Sequence, residues 1–231
     1  MKVSVIIPVL NEESIISEKL PAMQWVRESG HELILVDGGS TDNSLLVAKN
    51  YTDTVITSSQ GRAAQMNAGA KIASGDVLLF LHVDTLLPAE GIKRILARVA
   101  NSKDSDSVNA FWGRFDVSLT GSHFMFRVIE FMMNCRSRIT GIATGDQAIF
   151  INRDLFIQIG GYKEMPLMED IEISRRLKKK SRPVCIQNRV LTSSRRWESS
   201  GIYRTVLLMW RLRLSYWLGA DPLRLAKQYN S

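Results

Sequence analysis

The chain has 231 residues, 45% of them hydrophobic, with 30 Lys and Arg against 23 Asp and Glu. That is enough apolar material for one sizeable core and too much for a largely disordered chain. Two cysteines, Cys135 and Cys185, without a CxxC or metal-ligand spacing, exclude a disulfide framework and a cysteine zinc site, and point to free thiols in a reducing, cytoplasmic setting.

In chain order, VSVIIPV (3–9) is a β-branched apolar run, followed by an amphipathic stretch from Glu13 to Arg27. The opening run ends at Asn11 and is flanked by glutamates, too short and too acidic for a secretory signal. ELILVD (32–37) predicts a second strand, 41–50 a short helix opened by Thr41 and Asp42, and DTVITS (53–58) a third strand. An Ala-rich helix over 61–73, a fourth strand over 76–84 and a helix over 88–100 with Pro88 at its start complete the first half. Strands apolar on both faces, alternating with helices, imply an α/β fold with a mainly parallel sheet covered on both sides. Beyond residue 104 the pattern changes. A stretch ending at Leu119 alternates like an antiparallel or mixed strand, 122–136 is a Met- and Phe-rich helix, and a strand over 147–151, helices and a basic tail follow. With no repeat, low-complexity tract or linker, one domain over 1–231 is expected: a first half over 1–100, a second over 101–200, and a basic, Trp-rich helical tail over 201–231.

Charge is unevenly placed. Residues 1–170 carry 16 Lys and Arg against 20 Asp and Glu, a net of −4; residues 171–231 carry 14 against 3, a net of +11. Such a basic block suits phosphate, nucleic acid or an anionic membrane surface.

Ligands of open parallel sheets sit outside the carboxyl ends of the strands. Asn11 and Glu12 follow the first strand, Asp37 ends the second, and His82 and Asp84 end the fourth. Neither a glycine-rich dinucleotide fingerprint nor a P-loop is present, which leaves a nucleotide held by carboxylates and a divalent ion. Asp84, leaving a buried strand, suits metal coordination or the capping of the next turn. His82, two residues earlier, shares its strand face and offers a nitrogen ligand or a hydrogen bond.

These segments carry a resemblance. VSVIIPVLNEE, ELILVDGGSTDNS, GRAAQMNAGAKIASGD and LLFLHVDT, in that order, resemble the donor half of glycosyltransferase family 2. TGDQAIFINRDLFIQIGGY, LMEDIEISRRLKK and SSRRW resemble its acceptor strand, its E-D motif and its (Q/R)-x-x-R-W-like element. The likeness runs from residue 3 to about 200. It implies a GT-A fold, with a nucleotide-diphosphate-sugar donor (UDP expected) and an acceptor hydroxyl of unknown identity as partners, and inversion. Implied for the donor are Pro8, Glu12 and Asp37 on base and ribose, with Gly61, Arg62 and Asn67 of the GRAAQMNAG segment facing the diphosphate. Asp84 matches the last acid of the D-x-D motif, which reaches Mn²⁺ or Mg²⁺. His82 replaces the first acid, a departure that bears on metal use and donor identity. Asp170 matches the catalytic base, with Glu169 in support; at a helix start the amide dipoles favour an ionised acid. Asp146 and Gln147 are acceptor-side candidates, rivalled by an ordinary turn. Arg195, Arg196 and Trp197 are candidates for diphosphate charge and sugar stacking, rivalled by a solvated pair with a packed Trp.

The two glycines after Asp37 let the backbone turn without filling the space of a base, and Ser40, Thr41 and Asp42 are expected to start the next helix. YRTVLLMWRLRLSYWLG (203–219) is interrupted by Arg211 and Arg213 and cannot span a bilayer. Packing on the core, homodimerisation and contact with the inner membrane face as a peripheral protein all remain open for it. A sugar-1-phosphate nucleotidyltransferase would need a glycine-rich basic loop after the first strand, which PVLNEES is not. A nucleic-acid partner is disfavoured by the acidic first 170 residues. A GT-A-like binding protein with altered catalysis is the remaining alternative, on the strength of His82.

Overall fold

The computed structural model describes residues 1–100 and 110–230. In chain order these form β1 (Val3–Val9), α1 (Glu13–Lys19), α2 (Trp25–Glu28), β2 (Glu32–Asp37), α3 (Ser44–Ala48), β3 (Thr54–Thr57), α4 (Arg62–Ile72), β4 (Val77–Phe80), β5 (Thr85–Leu86) and α5 (Gly91–Ala100). Then come β6 (Trp112–Leu119), α6 (Phe124–Thr140), β7 (Ile149–Asn152), α7 (Arg153–Gln158), α8 (Glu169–Lys178), β8 (Val184–Thr192), α9 (Arg195–Ser200), α10 (Ile202–Trp217) and α11 (Pro222–Asn230). The start of the strand expected over 105–119 lies outside the described residues.

The strands make one sheet in the order β3-β2-β1-β4-β7-β6-β8-β5. β3, β2, β1 and β4 run parallel, β7 is antiparallel to both β4 and β6, and β6 is parallel to β8. Because β1 sends the chain to β2 on one side and has β4 on the other, the strand order switches beside its carboxyl end. That is where an open α/β sheet makes a crevice.

Alternate residues of β1 serve two layers, as a period of two requires. Val3, Val5, Ile7 and Val9 join Ile15 and Ile16 of α1, Ile92 and Ile95 of α5 and Phe126, Ile129 and Met133 of α6 in one core cluster. Ile6 joins Ala63 and Met66 of α4, Leu155 and Phe156 of α7 and Ile173 and Leu177 of α8 in the other. Helices therefore cover both faces of the sheet.

Several expected elements differ in extent. The stretch over 13–27 divides at Pro21 into α1, a 3₁₀ turn over Leu20–Met23 and α2, because Pro lacks the donor that a continuous helix needs. The helix expected from Thr41 begins at Ser44. Ser40 and Thr41 instead tie to Asn11, whose N–H donates to Ser40 Oγ (2.8 Å) and whose Oδ1 accepts from the Thr41 N–H (2.8 Å). Asp42 precedes the N-cap position of α3, which is Asn43, and its carboxylate accepts from Ser44 N–H (3.0 Å) and from Glu13 N–H at the start of α1 (3.2 Å), tying the two helix starts together. β4 stops at Phe80, so His82 and Asp84 lie in the turn beyond it rather than on one strand face. Among the described residues no helix is long and apolar enough to cross a membrane.

Candidate active site

A cleft of about 800 Å³ opens at the carboxyl ends of β1 and β4. β1 supplies Pro8 and the loop after it Glu12; the start of α4 supplies Gly61 and Arg62; the turn after β4 supplies His82 and Asp84. Across from them stand Asp146, then Glu169 and Asp170 at the start of α8, and Arg195, Arg196 and Trp197 of α9. Twelve of the fifteen residues singled out in the sequence line this one cleft.

The remaining three do not, and each is turned to an internal task. Asp37 is fully buried, and its carboxylate accepts from the N–H groups of Gly39 (2.9 Å) and Ser40 (3.0 Å), closing the turn whose Gly39 has φ 93°. Asn67 bridges α4 to Tyr162, donating to its carbonyl (2.8 Å) and accepting from its N–H (2.9 Å). Gln147 is fully buried in a 3₁₀ turn over Gly145–Gln147, where its amide donates to Ser137 Oγ (3.0 Å) and its carbonyl accepts from Thr144 N–H.

At the back of the cleft, His82 Nδ1 lies 3.2 Å from Asp146 Oδ1. Burial alone would raise the Asp146 carboxyl, but the His82 hydrogen bond and charge, with Arg62 and Arg213, hold it below the usual carboxylate range. A Cβ on Gly145 would meet the His82 imidazole, so a side chain there requires the ring to shift away from Asp146. The Gly145 N–H donates to Asp170 Oδ2 (3.1 Å) and the Ile171 N–H to Asp170 Oδ1 (2.7 Å). His82, Asp146 and Asp170 are thus joined through one two-residue segment.

Glu169 departs from the expectation that the helix start favours its ionised form. It is buried, and burial together with the neighbouring Asp170 charge pushes its carboxyl up, against the pull of Arg62. Arg62 is exposed to the cleft and ringed by acids: partial desolvation disfavours its charge, and Glu169, Asp146 and Asp170 more than restore it. Glu12 is also raised, by burial and by Asp84, although Arg195 Nη2 stands 3.6 Å from it and lowers it. Arg196 lies over the Tyr229 ring, 3.5 Å from its centroid. Trp197 packs partly buried against the larger core cluster.

Asp84 tests whether a divalent ion fits. No group of three or more His, Cys, Asp or Glu among the described residues is arranged to enclose a metal. Asp84 nevertheless presents a half-buried carboxylate to the cleft, with only the Thr85 hydroxyl at 3.4 Å and no ion-pair partner among the described residues. One or two carboxylates completed by substrate phosphates suffice for Mg²⁺-type sites, so the donor set fits.

Other contributors escaped the sequence. Gln65 lines the cleft while its amide donates to the carbonyls of Val9 (2.7 Å) and Val36 (2.8 Å), pinning the ends of β1 and β2 together. Arg213 and Tyr229 reach the cleft from α10 and α11. Among the described residues, three non-glycine positions have positive φ: Asn11 (54°), Ala148 (48°) and Met168 (72°). Each adjoins a cleft segment, and such backbone costs on the order of 1–3 kcal/mol. Only the GRAAQMNAG segment hinted at Gln65; nothing local marks the others.

The chain is similar to known proteins in family and in fold. The model of glycosyl transferase family 2 matches residues 4–163. A PGL/p-HBAD biosynthesis glycosyltransferase of Mycobacterium bovis (strain BCG / Pasteur 1173P2) is 32% identical over 176 residues, covering 69% of this chain and 62% of that protein. The chain thus spans about three fifths of that relative's length. Among solved structures, S. aureus TarS 1-349 in complex with UDP-GlcNAc superposes with a TM-score of 0.67 at 20% identity, over 84% of this chain and 58% of that one. The mannosyltransferase PcManGT from Pyrobaculum calidifontis, in complex with GDP-Man and Mn²⁺, gives 0.64 at 19% identity, over 99% and 68%. The sheet and its covering helices are the GT-A fold, and the chain belongs to glycosyl transferase family 2.

Proposed function

We propose that the protein moves a hexose from a nucleotide-diphosphate donor, a UDP-sugar, to an acceptor hydroxyl with inversion at the anomeric carbon. The single observation that carries this is the meeting of Asp84 and Asp170, from opposite halves of the chain, in one cleft. In this reading residues 1–100 hold the donor and 101–200 the acceptor and the base.

Pro8 and Glu12 bound the space for base and ribose, and Gly61 and Arg62 face the diphosphate. Asp84 is the residue to hold Mn²⁺ or Mg²⁺, with His82 oriented beside it through Asp146. When bound, such an ion supplies Lewis-acid charge to the leaving diphosphate. The mannosyltransferase neighbour in complex with GDP-Man and Mn²⁺, and the TarS complex with UDP-GlcNAc, support a donor and ion of this kind. Asp170, held by two backbone N–H groups, takes the acceptor hydroxyl proton as general base while the oxygen bonds to the anomeric carbon. The bond from that carbon to the diphosphate oxygen breaks, and the nucleoside diphosphate leaves with the electron pair. Glu169 supports Asp170. In this reading Arg195 and Arg213, which line the cleft, meet phosphate or acceptor charge. Cys135 and Cys185, both unbridged, suit a reducing cytoplasmic setting.

Calorimetric titration of UDP, GDP and dTDP, with Mn²⁺ or Mg²⁺ and again with EDTA, tests the donor site. One nucleotide is expected to bind only with the metal, and Asp84→Ala is expected to lose at least about tenfold in affinity. Metal-independent binding, or binding untouched by Asp84→Ala, removes the proposed role of Asp84. A protein that binds a nucleotide but moves no sugar would instead be the altered binding protein, a reading favoured by the engagement of His82 with Asp146.

A further inference from the structure

We propose that the outward faces of α6 and α10 form a docking surface for an anionic lipid bilayer. On α10, Tyr203, Leu207, Trp210, Leu214 and Trp217 are 59% to 71% exposed. Their spacing alternates four and three residues, so they make one stripe along the helix. The opposite side of the same helix is already satisfied. Thr205 and Leu212 are buried, and Leu212 packs with Met168 and Ile171 beside the start of α8. The tail therefore docks on the core and still leaves its most apolar side to water. Leu218 and Leu223, both exposed, extend the stripe towards α11.

A second helix repeats the pattern independently. Phe124, Val128, Phe131, Met132 and Ile139 of α6 are 45% to 78% exposed, although Phe126, Ile129 and Met133 between them are core. Together the two stripes hold ten of the seventeen large apolar residues exposed among the described residues, far from the single scattering normal for a soluble surface.

Charge selects the occupant. α10 has no acidic residue, and Arg204 and Arg211 are exposed along its stripe, with Arg224 on α11. Neither α10 nor α11 carries an acid to answer Arg204, Arg211 and Arg224, so two copies meeting through this surface would bring like charges together. An anionic bilayer instead matches the arginines with its headgroups and accepts Trp and Leu at the level of the acyl boundary. Both helices also border the cleft, α6 through Met133 and α10 through Met209 and Arg213. The cleft lies on the inner side of these helices, so docking this surface would hold it about one helix diameter (~10 Å) from the lipid. That a lipid-linked hydroxyl is then the acceptor rests on the sugar-transfer reading; the docking does not.

The full chain is mixed with phosphatidylcholine vesicles, and with vesicles containing phosphatidylglycerol, at low and at high salt. The expected result is partition onto the anionic vesicles about tenfold or more above the neutral ones, weakened by salt. Tryptophan emission should be quenched by lipid brominated on the acyl chains. Replacing both stripe tryptophans, Trp210→Gln with Trp217→Gln, should abolish the quenching and most of the partition while leaving nucleotide titrations unchanged. Partition that survives this double substitution overturns the proposal. So does an absence of partition, whether the protein stays monomeric or sediments as a dimer that the same substitutions dissociate, in which case a second copy is the occupant. Loss of nucleotide binding with vesicle binding intact would count against the transferase reading alone.

Discussion

Glu169 and Asp170 are neighbours in the chain and differ in what surrounds them. Asp170 faces the cleft half-buried and receives two backbone N–H groups, whereas Glu169 is buried beside it and its carboxyl is pushed up. Folded protein therefore binds the Glu169 proton more tightly than unfolded chain does. The stability this contributes is complete below the unfolded value and is lost as pH rises through the higher folded one. Glu169→Gln keeps the shape and removes that loss. Melting temperatures of this variant should exceed those of the parent at neutral pH and converge with them in acid; a gain that persists equally in acid would show that proton linkage is not the cause. Asp170→Asn should instead act on rate. A drop in kcat of about 10²–10⁴ with little change in nucleotide affinity is expected of a lost general base. Local sequence named both acids through their motif, but their different surroundings come from Arg62 and Gly145, distant in the chain.

Among the elements, β6 and α6 show how the second half of the sheet is kept in place. Arg114 of β6 is 1% exposed and pairs with Asp116, which also receives Arg138 of α6. The strand shifts register against β8 between Phe115 and Asp116, so neighbouring residues no longer simply alternate faces there. Arg114 also donates to the Asn134 carbonyl of α6 (3.2 Å). Asp116→Ala would leave a buried guanidinium without its carboxylate, a change that costs about 3–5 kcal/mol. Chemical denaturation should register that loss as an earlier midpoint; a shift within a few tenths of a kcal/mol would mean that water replaces Asp116. The WGRFDVSL run reads as a strand from its apolar residues alone. Its buried ion network was illegible, because an Arg and an Asp two apart in a strand are ordinarily surface residues.

At the scale of the molecule, the tail forms one wall of the cleft. Arg213 and Tyr229 line it from α10 and α11, and these helices are attached through a small cluster in which Leu212 and Leu225 are almost fully buried against Met168 and Ile171. Arg136, near Arg213 and Asp170, has a buried Nη2 without a partner, and burial with the Arg213 charge lowers its pKa to about 10. Cationic groups thus gather where the acidic first 170 residues meet the basic last quarter. Leu212→Asp should detach the tail and remove these contacts from the cleft. A fall in kcat/KM of about tenfold or more is expected, since charge-assisted hydrogen bonds contribute ~1.5–3 kcal/mol each. Proteolysis should then release a fragment beginning near Gly201 while the sheet still melts cooperatively. Unchanged proteolysis with unchanged kinetics would show that the tail is held by other contacts.

By itself the sequence determined the alternation of strands and helices, because periodicity and apolar runs are local properties of the chain. It also identified the family, and with it most of the residues that meet in the cleft, because short motifs at strand ends need no knowledge of the partners they face. Tertiary structure alone decided which of those side chains remain available. Asp37, Asn67 and Gln147 spend their hydrogen-bonding capacity on neighbouring backbone, while His82 is drawn to Asp146 from a distant segment. It decided, too, that α10 buries one side and exposes the other, since an all-round apolar helix with arginines carries no local mark of which face the core will take. Burial and pairing depend on what the chain brings together across long separations, and that information is absent from any local window.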